Sequence, residues 1–122
     1  MLLLDTNILI DVLRGEQAAL AWLNEQQRPS ISVITWIEVL VGCRAEESTA
    51  VEGWLGCFPR LQLDDAIARE AVRLRQERGL KVPDAIILAT AVVHGLTLAT
   101  RNVRDFPLEP GCVLHPYSLG EV

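Results

Sequence analysis

The fold is decided by short apolar runs that meet a polar or charged residue, and the first of them is Leu2-Leu3-Leu4-Asp5. Ser30-Ile31-Ser32-Val33-Ile34 and Thr97-Leu98-Ala99-Thr100 repeat the pattern further along the chain. Stretches with the apolar spacing of helices lie between these runs. Strands that alternate with helices predict an α/β fold, with a mainly parallel sheet that is covered by helices on both faces.

Five strands and six helices are expected from this pattern. The strands are residues 2–4, 30–34, 60–63, 97–100 and 112–114. The helices are residues 8–14, 16–26, 35–44, 46–57, 64–79 and 83–95. Gly79 and Gly95 end two of these helices, and Pro83 lies in the first turn of the last one.

Composition narrows the class of protein. The chain has 122 residues, of which 50% are hydrophobic, and this length predicts a single domain over residues 1–122. The net charge is −5, from 16 acids and 11 bases, which argues against a protein that coats nucleic acid by bulk electrostatics. The negative net charge does not exclude an enzyme that binds a few phosphates, and it favours a basic partner.

No membrane segment is expected. The longest stretch without a charged side chain, Ala85 to Thr100, has 16 residues and is broken at His94 and Gly95, whereas a span needs about 18 or more apolar residues. An acid at position 5 cuts short the apolar start of the chain, so no signal peptide is predicted. A cytoplasmic location follows from these two expectations.

Four acids stand close to the ends of predicted elements: Asp5, Glu38, Asp84 and Asp105. The carboxyl ends of parallel strands meet at one edge of a sheet, so these acids can gather although they are distant in sequence. Like charges that crowd together need a cation, and carboxylate oxygens suit Mg²⁺ or Mn²⁺. The pattern therefore predicts a metal site and the hydrolysis of phosphodiester bonds.

Asp5 and Asp84 also have structural interpretations. Asp5 is placed to cap a helix, although Thr6 or Asn7 would cap it equally well and leave Asp5 at the strand tip. Asp84 lies in a first helical turn, where any acid is stabilised by the helix dipole. We favour the metal role for both, because the strand tips are expected to meet.

Glu38 has the strongest competing interpretation. Thr35-Trp36-Ile37-Glu38 is a capping-box sequence, in which the glutamate would bond to the backbone N–H of Thr35. The two roles are separable, since a capping box accepts glutamine and a metal requires the charge. We favour the metal role.

The fourth position is open between Asn102 and Asp105, either of which could bind water beside the metal. Asp105 is preferred for its charge. Arg101 and Arg104 flank the expected acid site and are candidates for contact with a phosphate of the substrate. Asp11, inside the first helix, is interpreted as structural.

Four motifs follow one another along nearly the whole chain. They are Leu4-Asp5-Thr6-Asn7, Ile37-Glu38-Val39-Leu40, Val82-Pro83-Asp84-Ala85-Ile86-Ile87 and Thr100-Arg101-Asn102-Val103-Arg104-Asp105-Phe106. Together they resemble the motifs of the PIN-domain nucleases, and more narrowly those of the VapC toxins of bacterial and archaeal type II toxin–antitoxin systems.

The resemblance implies a three-layer α/β/α sandwich with about five mainly parallel strands. It implies an endoribonuclease that depends on Mg²⁺ or Mn²⁺ and acts on structured RNA. It assigns the four acids Asp5, Glu38, Asp84 and Asp105 to catalysis and metal binding, and it gives Thr6 a hydroxyl near the metal. Asn102 stands where some members carry an acid, so the number of metals is left open.

The resemblance also implies partners. A cognate VapB-like antitoxin would lay a C-terminal segment, often bearing arginine, across the acid site. A homodimer is expected, and DNA would be met only through the antitoxin.

The expected mechanism is metal-assisted hydrolysis. Asp5 and Asp84 would hold the more tightly bound metal ion, while Glu38 and Asp105 would orient the attacking water. Arg101 or Arg104 would steady the charge that develops on the phosphate.

Two other functions are compatible with parts of the pattern. In one, the domain is a binding module that acts as a corepressor with a DNA-binding partner. In the other it is a phosphatase of the haloacid dehalogenase type, but such enzymes need a second acid two residues after the first, and that residue here is Asn7.

Overall fold

The structure is a computed structural model that describes residues 1–119. Its strands are β1 (Leu2–Leu4), β2 (Ser30–Ser32), β3 (Arg60–Leu61), β4 (Thr97–Ala99) and β5 (Val113–Leu114). They form one sheet in the order β3-β2-β1-β4-β5, and every neighbouring pair is parallel. The predicted parallel α/β sheet of five strands is confirmed.

Six helices flank the sheet. They are α1 (Thr6–Leu13), α2 (Gln17–Asn24), α3 (Val33–Val41), α4 (Ala45–Leu55), α5 (Asp65–Arg78) and α6 (Val82–His94). Helices α5 and α6 end at Gly79 and Gly95, whose φ angles of 69° and 66° lie in the left-handed region that glycine adopts without strain. No helix within residues 1–119 has both the length and the apolar character that crossing a membrane requires.

Alternate residues of the strands point to opposite faces of the sheet, so the core is divided in two. Leu3 and Leu98 pack on one face with apolar residues of α5 and α6. Leu4 and Ala99 pack on the other face with residues of α1, α3 and α4. Each of these four strand residues is fully buried, so both faces of the sheet hold it between helix layers.

The order of the strands creates a switch point beside β1. The chain runs from β1 outward to β2 and β3 on one side, and then returns to place β4 and β5 on the other. In open α/β sheets the crevice beyond the carboxyl ends of the strands, at the place where the strand order reverses, is the usual ligand site. Asp5 directly follows β1 and therefore lies at this place.

Two predicted helix starts were wrong. Strand β2 stops at Ser32, whose hydroxyl accepts a hydrogen bond from the backbone N–H of Ile34 at 3.0 Å, so Ser32 rather than Thr35 caps α3. The predicted capping box between Thr35 and Glu38 is therefore absent, because both residues lie inside the helix. Helix α1 begins at Thr6, and Asp5 itself is the cap.

Candidate active site

Asp5 is anchored between two neighbouring strands. The register of β1 and β4 pairs Leu4 with Ala99, so the residues that follow them stand side by side. The hydroxyl of Thr100 donates to Asp5 Oδ2 at 2.6 Å, and the backbone N–H of Thr6 donates to Asp5 Oδ1 at 2.8 Å. The Asp5 side chain is thus a helix cap and a strand-tip carboxylate at the same time.

Burial makes the charge of Asp5 costly. Only 5% of the residue is exposed, and this burial raises the pKa of Asp5 to about 6 although the bonds from Thr100 and Thr6 oppose the rise. The negative charges of Asp84 and Glu38 raise the pKa further. A cation among these groups would favour the ionised carboxylate.

Asp84 is the second carboxylate of the cluster. It lies in the first turn of α6, directly after Pro83, and is half-buried. Burial is the largest cause of its raised pKa, and the negative charges of Asp105 and Glu38 raise the pKa further. All four predicted acids therefore belong to one electrostatic cluster.

Glu38 reaches the cluster from α3 and is held by Thr6. The hydroxyl of Thr6 donates to Glu38 Oε1 at 2.7 Å and lies 3.0 Å from the hydroxyl of Thr35. The glutamate is exposed. Because Glu38 lies inside α3, it does not cap the start of the helix. Its carboxylate is oriented by the side chain of Thr6 instead.

Asn102 and Asp105 form a pair rather than two alternatives. The backbone N–H of Asp105 donates to Asn102 Oδ1 at 3.1 Å, and Asn102 Nδ2 donates to Asp105 Oδ2 at 3.0 Å. The backbone N–H of Asn102 in turn donates to the hydroxyl of Thr100 at 3.0 Å. Asn102 therefore links the loop carboxylate to the residue that holds Asp5.

A cavity of about 420 Å³ opens over the cluster. Three of the four acids line it, and Asp105 does not but is hydrogen-bonded to Asn102, which does. The lining residues are Asp5, Thr6, Asn7, Ile10, Arg14, Glu38, Asp84, Arg101 and Asn102.

The acids do not form a ready-made metal cage. Within residues 1–119, no group of three His, Cys, Asp or Glu side chains converges closely enough to hold a metal by itself. The oxygens of Asp5, Glu38 and Asp105 are instead oriented by hydroxyl and amide donors. An all-oxygen set of this kind fits a hard cation that keeps several water ligands, as Mg²⁺ does.

Arg101 lines the cavity but is tied to a buried acid. Its Nε and one terminal nitrogen donate to the two oxygens of Asp11, at 2.6 and 2.9 Å. The hydroxyl of Tyr117 donates to the same carboxylate at 2.7 Å, and its ring lies 6.4 Å from that of Trp22. Asp11 is structural, as expected, because its buried charge is neutralised by Arg101.

The backbone of Arg101 is fixed as well. Its N–H donates to Asn7 Oδ1 at 3.2 Å, so the loop after β4 is fastened to α1 at Asn7 and again at Asp11, one helical turn later. Arg104 is exposed and is not among the described residues that line the cavity. Of the two predicted arginines, only Arg101 is brought to the acids.

Sequence reasoning missed two residues of the cavity that carry chemistry. The sequence identifies Thr100 only as the end of a strand, although a parallel neighbour of β1 must place its next residue beside Asp5. Arg14 is identified only as the end of a helix. It follows Asn7 and Ile10 by seven and four residues, which is the spacing of one helix face, and that spacing is the signal that would have found it.

Three comparisons place the chain among known proteins. The PIN domain family model matches residues 2–107. The chain is 36% identical to ribonuclease VapC19 of Mycobacterium tuberculosis, over 90% of this chain and 95% of that protein. It is 35% identical to ribonuclease VapC10 of the same organism, over 88% of this chain and 87% of that protein.

Solved structures share the fold. A chain of a toxin–antitoxin complex from Klebsiella pneumoniae superposes with a TM-score of 0.90 and is 44% identical, over 97% of this chain and 99% of that chain. The similarity therefore extends over nearly the whole length of both chains.

Proposed function

Because the chain belongs to the PIN-domain family, in its VapC ribonuclease branch, we propose that it is the toxin of a type II toxin–antitoxin pair. Its activity would be the hydrolysis of phosphodiester bonds in structured RNA, with Mg²⁺ or Mn²⁺ as cofactor. The observation that carries the proposal is the buried carboxylate of Asp5, whose charge is opposed by its burial and by two neighbouring acids.

The chain's own residues fit a divalent metal. Asp5 and Asp84 are the more buried acids and would hold it, with Glu38 and Asp105 as the other two carboxylates of the proposed set. When bound, the metal supplies positive charge that polarises the phosphate and lowers the pKa of water.

The hydroxyls around the acids perform a second task, which is orientation. Thr100 fixes one oxygen of Asp5 at 2.6 Å, and Thr6 fixes one oxygen of Glu38 at 2.7 Å. Preorganised carboxylates do not need to be reoriented when the substrate arrives. Asn102 extends this support to Asp105, so we propose positioning roles for Thr6, Thr100 and Asn102.

A cleavage assay tests this function. Purified protein would be incubated with total tRNA or ribosomal RNA in Mg²⁺, in Mn²⁺ and in EDTA, with the Asp84→Asn variant as the matched control. We expect discrete new 5′ ends in either metal, and none in EDTA or with the variant. Cleavage that persists in EDTA at the same sites would contradict metal dependence, and intact RNA in every arm would contradict the nuclease function.

We propose two protein partners. A cognate VapB-like antitoxin would cover the acid cavity with an arginine-bearing segment, since the cavity gathers three carboxylates, and it alone would contact DNA. Co-purification with the protein encoded beside this gene, and recovery of nuclease activity on its removal, would test that pairing.

The second partner would be another copy of this chain. An apolar cavity of about 290 Å³ lies between α5 and α6, where Val72 and Val82 are more than half exposed. Exposed apolar surface of this kind supports a homodimer. Light scattering on the purified toxin should give the mass of two chains, and Val72→Glu should give the mass of one.

A further inference from the structure

Two arginines line the acid cavity, and they differ in what they are bonded to. Arg101 is held by the carboxylate of Asp11 through two hydrogen bonds, and Asp11 is only 1% exposed. A guanidinium that neutralises a buried carboxylate is not available to move toward a ligand, because the acid would be left buried and unpaired. Arg101 therefore fixes the loop after β4 to α1.

Arg14 stands on the same cavity without such a partner. It is the C-cap of α1 and is exposed. Among the ion pairs of residues 1–119, none includes Arg14. Its position one turn after Ile10 and two turns after Asn7 places it on the helix face that lines the cavity.

The negative charge of the cavity gives an arginine on its rim a role in binding RNA. Asp5, Glu38 and Asp84 make its floor negative, which repels an RNA backbone wherever a bound metal does not offset the charge. A guanidinium on the rim offers several N–H donors in a planar fork, which matches the oxygens of a phosphate. It would therefore contact the RNA where the strand leaves the acids that are proposed to hold the metal.

We propose that Arg14 is the arginine that binds a backbone phosphate of the RNA, and that Arg101 is a positioning residue that acts through Asp11. This inference rests on the proposed ribonuclease function and names the substrate contact of the same site. It replaces Arg101 and Arg104 in the role that the sequence suggested for them. Arg104 lies outside the cavity lining.

The test separates binding from turnover. The parent is the Asp84→Asn protein, which is expected to bind RNA without cutting it because it lacks one proposed metal ligand, and the probe is a fluorescein-labelled single-stranded RNA of about twelve nucleotides. Anisotropy gives its Kd at salt concentrations between about 50 and 200 mM, a range over which each lost phosphate contact lowers the slope of log K against log salt by about 0.7. Arg14→Gln, Arg14→Lys and Arg69→Gln are added to the parent one at a time.

We expect Arg14→Gln to weaken binding by about tenfold, as loss of one charged hydrogen-bonded contact does, and to lower the salt slope by about 0.7. Arg14→Lys should keep the parent's slope, since the charge remains, and recover part of the affinity. Arg69 is an exposed arginine of α5 paired with Asp65, so Arg69→Gln makes the same change of charge away from the cavity and should leave both values unchanged.

Other results would overturn the inference. An Arg14→Gln protein with the parent's Kd and slope would show that no phosphate is bound there, while the parent's own binding would leave the ribonuclease function intact. A loss shared equally by Arg14→Lys, slope included, would indicate a structural role for the side chain. A parent that does not bind RNA at any salt concentration, together with a wild-type protein that does not cut RNA, would refute the proposed function and this inference with it.

Discussion

The guanidinium of Arg101 and the carboxylate of Asp11 form a two-point ion pair, with N–O distances of 2.6 and 2.9 Å, across 90 residues of sequence. The acid is buried and the arginine side chain is 31% exposed. The pair joins the loop after β4, which carries Asn102 and Asp105, to the helix that begins at Asp5. Its integrity is therefore expected to matter for stability and for the shape of the candidate site.

Removing the charge of Asp11 should destabilise the fold. Asp11→Asn leaves a guanidinium that is partly buried without its counter-charge, and a cost of about 3 kcal/mol in the free energy of unfolding is expected. Urea unfolding of the two proteins at pH 7.5 measures it. Arg69→Gln, which breaks the exposed pair of α5 with Asp65, is the control and should cost less than about 1 kcal/mol. Equal costs would show that the buried pair contributes no more than a surface one.

The pKa of Tyr117 depends on its hydrogen bond to Asp11. Burial and the hydrogen bond to Asp11 raise the pKa of Tyr117 well above its usual value of about 10. It is the single tyrosine of the chain, so the ultraviolet absorbance of the folded protein should show no tyrosinate near pH 10.5. In the Asp11→Asn protein the pKa should fall toward 10. Ionisation near pH 10 in the wild-type fold would contradict the contact.

Glu38→Gln should separate catalysis from folding. The residue is exposed and lies inside α3 rather than in a capping box, and glutamine can still accept the hydrogen bond from Thr6. The melting temperature should therefore stay within about 2 °C, since a surface change of this kind costs less than about 0.5 kcal/mol. Turnover should fall by about a hundredfold or more, because the oxygen that is lost carries charge. Full activity in this variant would remove Glu38 from the proposed site.

Stability without metal should depend on the protonation of Asp5. Its pKa of about 6 in the folded protein exceeds the ordinary value of 3.8, so the folded state holds the proton more strongly than the unfolded state does. Below about pH 4, ionisation of Asp5 therefore does not reduce the free energy of unfolding. As the pH rises through 6, ionisation of Asp5 lowers the free energy of unfolding by about 3 kcal/mol.

Comparison with Asp5→Asn isolates this contribution. In EDTA, the difference in unfolding free energy between wild type and variant should shift by about 3 kcal/mol in favour of the variant between pH 4 and about pH 7. Chemical denaturation across that range measures the difference. A difference that stays constant with pH would mean that Asp5 ionises as an ordinary surface acid.

Adding metal should reverse the penalty. A divalent ion that binds only the folded chain stabilises it by about 2.7 kcal/mol at a hundred times its Kd, so Mg²⁺ or Mn²⁺ should raise the melting temperature of wild type at pH 7.5. The Asp84→Asn protein should show little change, and K⁺ at matched ionic strength controls for salt. An equal rise in both proteins would place the ion elsewhere.

The fold was predictable because its signals are local. Apolar runs marked β1, β2, β4 and β5, the stretch after Pro59 marked β3, and glycines marked the ends of α5 and α6. The start of α3 was not predictable in the same way, since Val33 and Ile34 are β-branched and favour a strand. The hydroxyl of Ser32 and the packing of Val39 on the sheet decide in favour of a helix.

The acids of the candidate site were also predictable, but their support was not. Asp5 and Asp84 stand at helix starts next to apolar runs, which a sequence displays. The hydroxyl that holds Asp5 comes from Thr100, 95 residues away, and only the strand register reveals it. The bond of Arg101 to Asp11 was not predictable for the same reason, because it depends on how the loop after β4 meets α1.

The position of Tyr117 has a consequence for synthesis of the protein. Asp11 receives its third hydrogen bond from a residue 106 positions later in the chain, so a ribosome must pass codon 117 before that acid is fully satisfied. A product that stops before residue 117 would keep every proposed metal ligand and yet lack one hydrogen bond to the carboxylate that holds Arg101. Nonsense mutations just upstream of codon 117 are therefore expected to weaken the enzyme without touching its acids.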